Sequence, residues 1–148
     1  IIDCSLLHKE PFKERLSRNL KIKPDLKLFD LIHKNTLRNP IENKTSIAGT
    51  WLFMECMRYI NNNKIMGDVA EFGSFEGGNI DVALTSDSNL FQKRTIHMFD
   101  SFEGFPRLSI NDPSDREDDF KNNSYKNIKI HFSKYSNIKI HKGFLTRP

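Results

Sequence analysis

The chain has 148 residues, 37% of them hydrophobic, and a formal net charge of +4, which is enough apolar material for one core and not for two. Its lysines are spread along the chain rather than gathered in a block, so neither a nucleic-acid groove nor a polybasic membrane anchor is expected. Cys4 and Cys56 form neither a metal-ligand spacing nor a disulfide framework, and no apolar run has the length of a membrane span or the layout of a signal peptide, so a reducing, cytoplasmic setting without membrane insertion is expected.

Residues 1–63 read as a helical segment. Pro24 stands at a helix start and Leu26, Leu28, Phe29, Leu31 and Ile32 recur at helical spacing until Pro40 interrupts. A longer helix is expected from about Asn43 to Asn63, with Ile47, Ala48, Trp51, Leu52, Cys56 and Tyr59 on its apolar stripe. On that stripe Trp51 is a core anchor and Cys56 a buried, inert thiol. Asn61-Asn62-Asn63 and Gly67 end this layer.

Residues 64–148 alternate between strand and helix. A first strand spans Asp68 to Gly73, and a helix carrying Ile80, Ala83, Leu84 and Phe91 follows Gly77. A second strand covers Thr95 to Asp100. A polar loop with Pro106 and Pro113 comes next, then a helix capped by Ser124 and reaching about Tyr135, then a third strand at Asn137 to His141. Strands interleaved with helices imply an α/β fold with a parallel sheet and right-handed crossovers.

Ligands of open parallel sheets bind beyond the carboxyl ends of the strands, and two blocks there carry chemistry. The first is Glu71-Phe72-Gly73-Ser74-Phe75-Glu76-Gly77-Gly78. Gly73 allows a sharp turn out of the strand, and Gly77 and Gly78 remove side chains where a ligand could approach main-chain N–H groups. Glu71 lies in an apolar run and is costly to bury unless it meets a cation or several donors, and a ligand ammonium is one such partner. The second block is Asp100-Ser101-Phe102. Asp100 at a strand end suits both hydroxyls of a ribose, with a donor on Ser101 and an apolar face on Phe102 beside a purine. Each feature has a plainer role when taken singly: turn glycines, a salt-bridged Glu71, an Asp100 that caps its own loop. Their joint order favours a ligand with a ribose, an aromatic base and a cationic end. Dinucleotide binding is the competitor, as in an NAD-dependent or nucleotide-sugar enzyme. The loop departs from G-x-G-x-x-G, and Phe75 and Glu76 stand where a pyrophosphate would have to approach.

These residues resemble the macrocin O-methyltransferase, or TylF-like, family of S-adenosylmethionine-dependent methyltransferases. The resemblance rests on residues 67–73, on Gly77-Gly78, and most specifically on Phe99-Asp100-Ser101-Phe102-Glu103-Gly104-Phe105-Pro106, with a weaker echo at Lys142-Gly143-Phe144. It implies a class I methyltransferase Rossmann-like sheet, of which this chain carries the N-terminal half, three strands preceded by the helical segment. It also implies a cofactor site of Glu71, Phe72, Gly73, Ser74, Phe75, Gly77, Gly78, Asp100, Ser101 and Phe102, with Glu71 and the glycine turn toward the methionine part and Asp100 on the ribose. Ser74 and Glu76 depart from the family, which more often has an apolar and a basic residue there.

The implied reaction is O-methylation of a sugar or related small polar hydroxyl acceptor. The implied magnesium would be held by aspartates on later strands, so no metal ligand or catalytic base is assigned to this chain. Asp112, Asp115, Asp118 and Asp119 read as a solvated acidic loop. Strands in the order third-second-first would leave the first strand as an open apolar edge, as expected of a truncated domain, or of a chain covered by a partner or a second copy. A fragment without catalytic activity is a further alternative. His8, His33, His97, His131 and His141 receive no role, and none is spaced as a ligand to another.

Overall fold

The computed structural model describes residues 25–38, 47–105 and 123–144. The expectations for the first 24 residues, and for the acidic loop with Asp112, Asp115, Asp118 and Asp119, fall outside them. The elements in chain order are α1 (Leu26–Arg38), α2 (Ile47–Asn62), β1 (Val69–Phe72), α3 (Gly78–Asp87) continued by a 3-10 turn (Ser88–Phe91), β2 (Ile96–Asp100), α4 (Tyr125–Phe132) and β3 (Ile138–Lys142).

Local chemistry sets the boundaries. Asp25 caps α1, its Oδ1 accepting the Leu28 N–H at 3.1 Å, and its other oxygen pairs with Arg58 of α2 at 2.8 Å. These donors hold the Asp25 carboxyl below the usual aspartate range. Ser124 caps α4 as expected, accepting the Asn127 N–H at 3.4 Å. Arg94 ties the end of α2 to the start of the sheet, donating to the carbonyls of Gly67 and Ile65 at 2.6 Å each and to Asn61 Oδ1.

The three strands form one parallel sheet in the order β1-β2-β3, with Val69 opposite Ile96 and Ile96 opposite Ile138. Strand alternation sends Val69, Glu71, Ile96, Met98, Asp100, Ile138 and Ile140 to one face. There the core forms, shared by the helical segment and the sheet: Leu28, Phe29 and Ile32 of α1, Trp51, Met54 and Met57 of α2, Ile80 and Leu84 of α3, and Ile128 and Phe132 of α4 join Ile96 and Met98. Ala70, Phe72, His97, Phe99, Lys139 and His141 take the opposite face. Phe72 is 59% exposed there and stacks on Phe99 at 4.9 Å between ring centroids, and Phe99 stacks on His141 at 4.4 Å.

The apolar stripe of α2 differs from expectation. Ile47 and Trp51 are buried, but Leu52 and Tyr59 are exposed and so is Cys56, which is therefore not a buried thiol. The buried face runs through Ile47, Thr50, Trp51, Met54 and Met57 instead. The helix turns this way because the Thr50 hydroxyl finds an acceptor inside, at Asn79, so a polar residue can occupy a core position that pattern alone assigns to its apolar neighbours.

Candidate cofactor site

The site forms where β1 and β2 end. Gly73 has a φ of +74°, the left-handed conformation that glycine adopts without steric cost. The N–H groups of Gly73 and Ser74 both reach the Phe99 carbonyl, at 2.9 and 3.2 Å. The Ser74 hydroxyl, buried, donates back to the Glu71 carbonyl at 3.1 Å. The loop after β1 is thus tied to β2 by its backbone.

Asp100 makes the second tie. Its Oδ2 accepts the N–H of Phe75 at 2.8 Å and its Oδ1 accepts the N–H of Phe102 at 2.8 Å. Phe75 and Phe102 both have positive φ, +50° and +54°, a conformation that costs a non-glycine residue about 1–3 kcal/mol. The two charge-assisted hydrogen bonds offset that cost. One carboxylate therefore shapes both loops that frame the site, and each oxygen keeps lone-pair capacity for a further donor.

Glu71 is held differently. Its Oε1 accepts from Asn79 Nδ2 at 2.8 Å, and Asn79 Oδ1 in turn accepts the Thr50 hydroxyl at 2.8 Å. Its Oε2 is buried with no hydrogen-bond partner. Burial pushes the Glu71 carboxyl up; the Asn79 hydrogen bond and the nearby Ser74 hydroxyl oppose this, and the Asp100 charge adds to it. A buried carboxylate oxygen without a donor is an unfavourable arrangement that a cationic group would relieve. Thr50 and Asn79 did not emerge from sequence reasoning. Asn79 directly follows Gly77-Gly78, which is a usable signal; Thr50 lies 29 residues away from it and offers none.

The remaining residues sort by side chain. Gly77 has a φ of +80°, and a Cβ there would lie 2.5 Å from Met98 Cε and 2.6 Å from Phe132 Cε2. Its glycine is thus required by the packing of loop on core, a reason apart from any approach of a ligand. Gly78 is buried at the first position of α3. The Phe102 ring corrects expectation: it is 2% exposed and packed against Tyr125, so it belongs to the core and only its backbone N–H serves the site. The Phe72 ring lies on the sheet face opposite Glu71, because alternate strand residues point to opposite faces. The Ser101 hydroxyl is used within its own loop, donating to the Gly104 carbonyl at 2.8 Å and accepting the Glu103 N–H at 3.2 Å. Lys142 and Glu103 pair at its margin.

The histidines also find partners that spacing did not show. His97 Nδ1 and His141 Nε2 lie 2.9 Å apart on the open sheet face, so one ring donates and the other accepts, and His97 Nε2 lies 3.3 Å from Asp68. His131 Nε2 lies 2.7 Å from the buried Asp81, joining α4 to α3. Among the described residues no three His, Cys, Asp or Glu side chains converge as a metal site, and no helix is long and apolar enough to cross a membrane.

A parallel sheet with an acidic residue at the end of each of its first two strands, and a glycine loop after the first, has the α/β architecture of a class I methyltransferase sheet. The fold has a solved counterpart: the chain resembles the structure of the O-methyltransferase NovP, with a TM-score of 0.55 and 16% identity over 79% of this chain and 62% of that one. The chain spans less than two thirds of that protein. The model of the macrocin-O-methyltransferase (TylF) family matches residues 47–144, and the chain belongs to that family. No curated protein matches it by sequence.

Proposed function

We propose that this chain provides the cofactor-binding part of an S-adenosylmethionine-dependent O-methyltransferase whose acceptor is a sugar or a related small polar hydroxyl compound. The observation that carries this reading is the pair of strand-end acids held in different states. Asp100 is fixed by two backbone N–H groups and retains lone pairs for ribose hydroxyls, while Glu71 keeps a buried oxygen without a donor. Membership of the TylF family supports the reaction class. In this assignment Asp100 accepts from the ribose, Glu71 faces the amino-acid end, and Gly73, Ser74, Phe75, Gly77, Gly78, Ser101 and the backbone of Phe72 and Phe102 shape the walls.

S-adenosylmethionine, when bound, would supply an electrophilic methyl group: an in-line O–C bond to the acceptor would form as the C–S bond breaks, with S-adenosylhomocysteine as the neutral leaving group and the hydroxyl proton released. The residues described here bind and orient: they hold the two ends of the cofactor so that the sulfonium is fixed between them, and alignment of this kind accounts for much of the acceleration of a two-substrate transfer. Magnesium, implied by the family resemblance, has no ligand set among the described residues, and no step is assigned to it here. The domain division at residue 63, a cytoplasmic location and self-association belong to the same proposal.

A thermal-shift comparison tests the reading. S-adenosylmethionine or S-adenosylhomocysteine is expected to raise the melting temperature of the chain while NAD leaves it unchanged. A shift with NAD and none with S-adenosylhomocysteine would replace this reading with a dinucleotide enzyme. Cofactor binding without methyl transfer to any sugar would leave the chain a binding fragment.

A further inference from the structure

We propose that Thr50 and Asn79 are positioning residues for the Glu71 carboxylate, a relay through which helix α2 sets how the site receives the ammonium group at the amino-acid end of its cofactor. The inference rests on the Glu71 reading above and extends it to a residue of the helical segment that lies outside both sequence blocks.

The relay runs in one direction. An ionised Glu71 can only accept, so its partner at 2.8 Å must present the amide nitrogen of Asn79. The amide oxygen then points the other way and needs a donor, which the Thr50 hydroxyl supplies at 2.8 Å. Thr50 is 0% exposed, and an unpaired hydroxyl at that depth would be costly. The carboxylate, which can only accept, sets which end of the amide faces it, and the Thr50 hydroxyl anchors the other end in place. What is left over is Oε2, buried with no donor.

Deleting the Thr50 hydroxyl removes the donor to the Asn79 amide oxygen, so the amide loses its anchor and holds the Glu71 carboxylate less firmly. Asn79 occupies the first turn of α3 immediately after the glycine loop, and Thr50 sits on the buried face of α2. The helical layer thereby takes part in the cofactor site as well as covering the sheet.

Calorimetry on the full chain with two ligands tests the proposal: S-adenosylhomocysteine, and 5′-methylthioadenosine, which has the same nucleoside but no amino-acid end. The wild-type chain is expected to bind S-adenosylhomocysteine more tightly. Thr50→Val and Asn79→Ala should weaken S-adenosylhomocysteine by about ten-fold, the worth of one hydrogen bond to a charged group, and leave methylthioadenosine unchanged. Thr50→Ser should behave as wild type. Binding of methylthioadenosine also reports that each variant has folded, and Thr50→Ala serves where Val does not fit. Equal weakening of both ligands would make the relay a merely structural prop, and an unchanged affinity for S-adenosylhomocysteine in these variants would overturn it outright. A wild-type chain that binds both ligands equally would remove the Glu71 reading and the relay with it.

Discussion

The ends of β1 and β2 each carry a carboxylate on the same face of one sheet, yet their surroundings differ. At the end of β2, Asp100 has a backbone N–H on each oxygen and serves as the joint between two loops. At the end of β1, Glu71 takes one close hydrogen bond, from the Asn79 side chain, has the Ser74 hydroxyl nearby, and keeps a buried oxygen that no donor closely meets. The first arrangement stabilises the fold before any ligand arrives. The second leaves a buried acceptor short of a donor, which costs stability. The proposed site thus combines a rigid half, already satisfied, with a half whose unmet acceptor would favour a cationic group.

Substitutions at the two ends should separate these roles. The largest effect is expected for Asp100→Ala, which removes both loop ties and should cost about 3 kcal/mol of stability, from two hydrogen bonds to a charged acceptor; chemical denaturation measures it. Gly77→Ala comes next. A methyl group there meets Met98 and Phe132 in a left-handed backbone, and about 2 kcal/mol should be lost, with Met98→Ala in the same chain recovering part of the steric component. Glu71→Gln should act in the opposite sense, stabilising the ligand-free chain by about 1 kcal/mol at neutral pH because the uncompensated charge is gone, while weakening S-adenosylhomocysteine. Destabilisation by Glu71→Gln would show that the Glu71 oxygen is satisfied after all and would erase the contrast.

The smallest effect is a pH dependence. Burial raises the Glu71 carboxyl above its ordinary 4.5, so the folded chain holds this proton more tightly than the unfolded one. The contribution of Glu71 to stability is therefore most favourable at low pH and declines as pH rises from 4.5 through the raised folded value. Asp25 and Asp68 are lowered from 3.8, Asp25 chiefly by Arg58 and Asp68 chiefly by the Thr95 N–H. Their contributions are present at neutral pH and fade only as pH falls below 3.8 through the folded values. Unfolding free energies of wild type and Glu71→Gln, compared across pH, should converge near pH 4 and diverge above it. Parallel curves would contradict the assignment.

Much of this site was legible in the sequence, because strand ends and loop turns leave local marks. Glu71 in an apolar run, Gly73 at a turn, and Asp100 before Ser101 all stand where chain direction must change, and the three strands follow from the alternation of apolar runs with helical spacing, their order being that of a doubly wound sheet. Side-chain direction was not legible. Phe102 reads as an open aromatic face but turns inward, since its positive φ and the hydrogen bond from its N–H to Asp100 commit the ring to the core. The Cys56 and Tyr59 stripe of α2 failed for a related reason: Thr50 is polar, and only its distant acceptor Asn79 makes that position a buried one. The contact between His97 and His141, 44 residues apart, depends on the parallel register of β2 and β3. Contacts made across the fold leave no mark in local spacing.

The central claim is that Asp100 and Glu71 hold the two ends of one nucleoside cofactor. Calorimetric titration of S-adenosylhomocysteine into wild type and Asp100→Ala tests it most directly. The account expects saturable binding at one site in the wild-type chain and an affinity about a hundred-fold weaker in a folded Asp100→Ala chain, the worth of two hydrogen bonds. Undiminished affinity in that variant would contradict the ribose assignment and the site built around it.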